Sequence, residues 1–198
     1  PQGSGFSNGA TYVDQPANST ILGAAKFSGK TKNGWSIGVL ESVTAKEFAK
    51  TDDGSGGRDK ILVEPLTNYL VSRVQKDFND NNSYVGGIFT ATNRRLEEHL
   101  IYLRRDAYTG GLDFRHNWKN RKYFEEGNFV LSHVLGSKEA ITATQTSLTH
   151  LFNRVDASHV SVDPDRTSLT GTGGKLELGK ASTGHWRYSL GYVWRSPE

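Results

Sequence analysis

The chain has 198 residues, enough for one domain with its own core, and 24 Lys and Arg against 21 Asp and Glu leave a net charge of only +3. That balance, with no basic run interleaved with aromatics, argues against a nucleic-acid surface, and the absence of cysteine excludes disulfides and thiolate metal sites. Mean hydropathy is −0.57 and no run of 18 apolar residues occurs, so no transmembrane helix is encoded; a membrane protein built of strands escapes that test, because its signal is far weaker.

The chain opens PQGSGF, has no methionine and shows no signal peptide, the expectation for an internal piece of a longer protein. Residues 1–20 read as a lead-in segment. Alternation begins at 21–29, with Ile21, Gly23, Ala25 and Phe27 on one face, and continues at 34–40 with Trp35, Ile37 and Val39. The stretch 66–78 places Leu66, Leu70 and Val74 opposite Thr67, Arg73 and Gln75. At 84–93, Val85, Gly87, Phe89 and Ala91 share a face. At 108–118, Tyr108, Leu112, Phe114 and Trp118 oppose Asp113 and Arg115. At 123–135, Tyr123, Phe129 and Leu131 oppose Glu126 and Asn128. The segments 169–180 and 184–197 complete a set of about eight strands, the last with Trp186, Tyr188, Leu190, Tyr192 and Trp194 at every second position. Strands of roughly 9–13 residues exceed the globular mean of about 5–6 and match the length that crosses a bilayer.

The connections alternate too. Short polar turns stand at 30–33, 79–82, 119–121 and 181–184, and longer links at 46–63, about 94–106 and 136–166. Short turns at one end and long loops at the other are the pattern of outer-membrane barrels. Residues 51–59 read as a flexible loop, and the link from Lys138 to Arg154 as the place for a short helix. Trp35, Trp118, Tyr123 and Trp186 fall beside the short turns, as an aromatic girdle requires. Glu125 and His116, near the short turns, and Glu41, nearer the long links, interrupt the apolar face and need to sit near its margins. The predicted fold class is therefore all-β: an antiparallel transmembrane β-barrel segment of about eight long meandering strands, part of a larger barrel, filling 1–198 as one partial domain.

Parity places Arg73, Asp113, Arg115, Glu126, Lys175, Glu177, Arg187 and Arg195 on the polar, lumen-facing side. They are candidates for paired interior scaffolding or for a lining that meets a polar solute. A turn centred near Ser182 sets Glu177 opposite Arg187, Leu178 opposite Trp186, Leu176 opposite Tyr188 and Lys175 opposite Ser189. One centred near Asn120 sets Arg115 opposite Glu126 and Leu112 opposite Phe129.

Motifs with chemistry are few. GTGGKLEL (171–178) lacks the Ser or Thr after lysine and the following helix that a phosphate loop needs, and 52–59 and 162–166 lack EF-hand spacing. The six histidines form no HExxH pattern, and no serine and histidine fall together on one outer strand face; GWSIG (34–38) spells G-x-S-x-G but runs into the alternating 34–40 segment, without the strand-to-helix turn of a nucleophile elbow. No catalytic residue, cofactor or metal is expected.

The runs YVDQPANSTILGAAKFSGKTKNGWSIGVLESVTAKE, VEPLTNYLVSRVQKDF, GGIFTATNR, AYTGGLDFRHNW, VDPDRTSLTGTGGKLELGK and GHWRYSLGYVWRSP, in this order, resemble an uncharacterised family of bacterial outer-membrane proteins. The resemblance implies a barrel domain of unknown function that normally follows a family-9-like carbohydrate-binding module. It further implies a bacterial outer-membrane location and membrane lipid or lipopolysaccharide as partner. Carbohydrate is implied only through a module outside this chain, and other outer-membrane proteins as neighbours. On this reading the protein is an envelope component for carbohydrate binding or uptake, acting as anchor or conduit. An outer-membrane glycan or lipid hydrolase and a soluble lipocalin-like binding barrel are the alternatives. The ending WRSPE is unlike an aromatic closing strand, so further strands are expected beyond it.

Overall fold

A computed structural model describes residues 10–148, 151–152, 160–181 and 184–196. The lead-in residues 1–9, His150, His159 and the centre of the expected 181–184 turn lie outside the described residues. The described residues form two antiparallel sheets, one short α-helix and a single 3-10 turn at Glu98–Leu100. The larger sheet holds eight strands: β2 (Ile21–Lys30), β3 (Trp35–Thr44), β6 (Leu66–Phe78), β7 (Ser83–Arg95), β8 (Arg104–Trp118), β9 (Tyr123–Gly136), β10 (Ser168–Lys180) and β11 (Tyr188–Arg195). They pair in the order β2-β3-β6-β7-β8-β9-β10-β11, and among the described residues the sheet is open, with β2 and β11 as its edges.

Because every neighbouring pair is antiparallel, the short turns all stand at one end of the sheet and the long links at the other. Two of the turns use the same device. Asn79, Asp80 and Asn81, and likewise Lys119, Asn120 and Arg121, have φ between 49° and 60°, three left-handed residues in a row. Asn and Asp adopt this region readily, which suits the first turn. Arg121 in the second is held by its Nε donating to Asn82 Oδ1 at 3.0 Å, so each turn braces the other. At the β2–β3 turn, Gly34 (φ 79°) is required twice over: a Cβ there would lie 2.6 Å from the Asp77 carbonyl oxygen.

The long link 46–63, within which 51–59 was expected to be a flexible loop, is a hairpin of β4 (Glu47–Asp52) and β5 (Arg58–Glu64), extended by β1 (Tyr12–Asp14) into a three-stranded sheet. Only the turn 53–57 fits the loop reading. There the Asp53 carboxylate accepts from the Ser55 amide (2.8 Å), the Ser55 hydroxyl (2.8 Å) and the Gly57 amide (2.9 Å). These bonds, the Ser55 amide first, hold the Asp53 carboxyl below its ordinary pKa. The 138–154 link contains the short helix α1 (Lys138–Gln145). Ser137 caps it, its Oγ accepting from the Ala140 amide at 3.0 Å while donating to the Ile101 carbonyl at 2.7 Å.

The buried core lies among the long links rather than under the sheet. Leu62, Leu100 and Leu103 pack with Leu96 and Tyr102, and Ile141, Phe152 and Leu169 pack with Val134, Val160 and Val162. The fully buried Gln145 ties the helix to the following loop: its Nε2 donates to the Asp163 carbonyl and its Oε1 accepts from the Asp163 amide, both at 2.8 Å. Lys46 pairs with Glu97 across two links and holds the Glu97 carboxyl below the usual range.

The β8–β9 register is the expected one, with Arg115 opposite Glu126 and Leu112 opposite Phe129. The β10–β11 register is not. Leu176 faces Tyr192, Leu178 faces Leu190, Lys175 faces Val193 and Glu177 faces Gly191, four residues along from the expected alignment. The connection runs to Arg187, so Trp186 and Arg187 precede the strand instead of pairing within it. An even shift leaves every side chain on its face, so the apolar match survives. It also seats Trp194 over Gly174, where a Cβ would overlap the indole.

Candidate functional site

Pairing in register sorts the large sheet into two unlike faces. One carries Phe27, Ile37, Val39, Val74, Phe89, Leu112, Phe129, Leu131, Leu176, Leu190 and Tyr192, drawn from all eight strands and all classed as exposed. Neither the helix nor the smaller sheet forms a layer over them. A water-soluble antiparallel sheet puts such a face against a core; here the core lies elsewhere.

Aromatics gather at the short-turn margin of this face. Trp118 and Tyr123 are directly opposed and stacked, with centroids 5.8 Å apart, and His116 stacks on Trp118 at 5.6 Å. Trp35 has the Lys76 ammonium 5.6 Å from its ring centre. Trp186 lies at the same end, ahead of β11 and 78% exposed.

The opposite face carries the charges. Arg73 on β6 reaches across β7 to Asp113 on β8 in a bidentate pair, both bonds 2.8 Å. The reach is possible because Gly86 lies between them: a Cβ there would come within 2.8 Å of Arg73 Nη2 and 2.9 Å of Asp113 Oδ1. Gln75 accepts from Arg73 (3.2 Å) and donates to Asp77 (2.8 Å), which in turn pairs with Lys30 at 2.7 Å. A second network joins Arg115 to Glu126 (3.1 Å), Glu126 to Lys175 (3.4 Å) and Lys175 to Glu177. Signs alternate along both networks, and the side chains keep partial contact with solvent. Such an arrangement neutralises itself in a hydrated setting and concentrates no charge for one ligand.

Of the sequence candidates, Arg73, Asp113, Arg115, Glu126, Lys175 and Glu177 are thus brought into two networks, and Arg195 lies on the same face at the end of β11, opposite Gly173. Arg187 is not among them, since β11 starts after it. Lys30 and Asp77 were missed, although their parity on β2 and β6 gives the same face; Gln75 was placed on that face but not named as a candidate.

Serine and histidine do converge, contrary to expectation, and on the apolar face. Ser83 on β7 lies opposite His116 on β8, which lies opposite Glu125 on β9, and Ser83 Oγ is 2.6 Å from His116 Nδ1. The residues were legible, but their cross-strand alignment needed the register. Ser83 is only 2% exposed and its Oγ also accepts from Asn79 at 3.1 Å, so the hydroxyl is closed to an ester carbonyl in this arrangement. Among the described residues no group of three His, Asp or Glu side chains is placed to hold a metal ion. A family model described as Domain of unknown function (DUF5916) matches residues 2–198, and no curated protein and no solved structure matches the chain.

Proposed function

The chain belongs to the DUF5916 family, a domain of unknown function, and from that premise we propose that its eight-stranded sheet is a section of the wall of a transmembrane β-barrel in a bacterial outer membrane. The observation that carries the proposal is the uncovered apolar face. Large aliphatic and aromatic side chains on eight adjacent strands, with Leu112 at 64% and Leu190 at 77% exposure, form a patch that a water-facing surface does not sustain. Lipid satisfies it. The 10- to 15-residue lengths of β2 to β10 in this sheet suit a tilted crossing. The paired charges of the other face then line a hydrated interior, the short turns face the periplasm, and the long links with their packed core stand outside. The free edges β2 and β11 are met by further strands, since an unpaired edge cannot lie in hydrocarbon.

In that setting the domain serves as membrane anchor or conduit for an envelope protein concerned with carbohydrate, a role that rests on the family resemblance. The test is fractionation of cells expressing the full chain. Recovery in the outer membrane, resistance to carbonate extraction and heat-modifiable gel migration are expected. Recovery as a detergent-free soluble protein would overturn the proposal in favour of a soluble barrel whose apolar face turns inward.

A further inference from the structure

The short-turn end of the sheet is strongly basic. Residues 28–36, 76–84, 117–123 and 178–188 hold eight Lys or Arg and two Asp, a net +6 in a chain whose total is +3. At the margin of the apolar face this charge meets the aromatics in a continuous row. Tyr188 faces Lys180, Lys180 faces Tyr123 and Tyr123 faces Trp118, across four adjacent strands. The Lys119 and Lys122 ammonium groups each stand 5.7 Å from the centre of the Tyr123 ring. None of Lys119, Lys122 and Lys180 has a carboxylate at ion-pair distance among the described residues, whereas Lys30, Lys46, Lys138 and Lys175 all do. Glu125, on the same face one row inward, is opposite Leu178 and His116 and does not reach them.

We propose that this row is a binding site for the phosphate headgroup of an anionic phospholipid in the leaflet next to the short turns, an inference that rests on the membrane-wall reading above. The chemistry is specific. Two unpaired ammonium groups, of Lys119 and Lys122, converge on one amphipathic ring, Lys180 stands opposite that residue in register, and Tyr and Trp at a membrane margin hold their polar edges at headgroup level. Lysines that find no carboxylate in the protein retain their donors for phosphate oxygens. Among the described residues the apolar face at the long-link end carries Arg95, opposite Leu66, but no such row of bases and aromatics. Five basic groups of that end, at 46, 58, 104, 105 and 138, bond to side chains of the protein. The site therefore belongs to the phospholipid leaflet and not to the lipopolysaccharide leaflet.

The experiment reconstitutes the full chain in mixed vesicles of phosphatidylcholine and phosphatidylglycerol, with bromine on the acyl chains of one lipid or the other, and reads tryptophan quenching. The wild type is expected to be quenched by both and to favour brominated phosphatidylglycerol about fivefold in apparent affinity, the ratio that corresponds to about 1 kcal/mol. The combined Lys119→Gln, Lys122→Gln, Lys180→Gln variant should lose the preference while remaining quenched, and the matching triple Lys→Arg variant should keep it. Equal quenching of the wild type by both lipids overturns the headgroup site and leaves the barrel wall standing. Quenching by neither lipid overturns the wall and the site together. A preference that persists in the glutamine variant overturns the assignment to these lysines. Heat-modifiable migration of each variant shows that it has folded.

Discussion

Replacing Leu112 by arginine separates lipid from water at the outer face. Leu112 lies on β8 six residues from Trp118, flanked in register by Gly87 and Phe129, and is 64% exposed. At about 3.3 Å per residue and a tilt near 40°, six residues descend about 15 Å, half of a hydrocarbon layer of about 30 Å. An arginine at that depth costs about 2–4 kcal/mol, or roughly 30- to 1,000-fold in the folding equilibrium. In water the same substitution on an exposed strand stays within about 0.5 kcal/mol. The assay is urea titration of the full chain in phospholipid vesicles, followed by gel migration with and without heating. Glu177→Gln is the control. It faces Gly191 on the polar side and removes one ion-pair partner of Lys175, an effect of at most about 1 kcal/mol. Leu112→Arg within about 0.5 kcal/mol of the wild type would refute the lipid-facing assignment.

Other consequences are equally direct. Gly86→Val and Asp113→Ala both sever the Arg73–Asp113 bridge, so in the same titration their costs should be less than additive; a simple sum would show that Gly86 does not serve the bridge. The Asp53 carboxyl is held below its ordinary pKa, so its contribution to the 53–57 turn is complete above about pH 3.9 and is lost as pH falls through the lower folded value. The Ser55 and Gly57 amide resonances should report a midpoint below about 3.9 in the wild type and none in Asp53→Asn; an equal or higher midpoint contradicts the bonding. Protease added to intact cells should cut near Arg58 and Lys60 and spare 119–122. Cleavage at 119–122 would place the short turns outside.

Most of the large sheet was legible because a period of two over ten or more residues has few other solutions, as at 108–118, where the apolar and charged sets never exchange parity. The β8–β9 register was legible because the four residues KNRK leave almost no freedom between Trp118 and Tyr123. At β10–β11 the polar stretch before Tyr188 has no such constraint, and residues 184–187 alternate as a strand while serving as connection. Any even shift satisfies the same parity, so sequence could not choose between Arg187 and Gly191 opposite Glu177. The choice lies in the fit of Trp194 over Gly174, a tertiary contact. The hairpin β4–β5 was hidden because the Gly- and Asp-rich turn at 53–57 dominated the reading of its flanks, six and seven residues long. The Ser83–His116–Glu125 row was hidden for a related reason: its members are far apart in sequence, and only pairing aligns them.

The absence of native cysteine allows a direct test of the wall. Single cysteines at 110 to 115 on β8 would each carry a nitroxide, and its relaxation by oxygen, which enters lipid, would be compared with relaxation by a water-soluble nickel chelate. A membrane wall predicts alternation with a period of two: oxygen dominating at 110, 112 and 114, the chelate at 111, 113 and 115. Chelate access at 112 equal to that at 113 would contradict it.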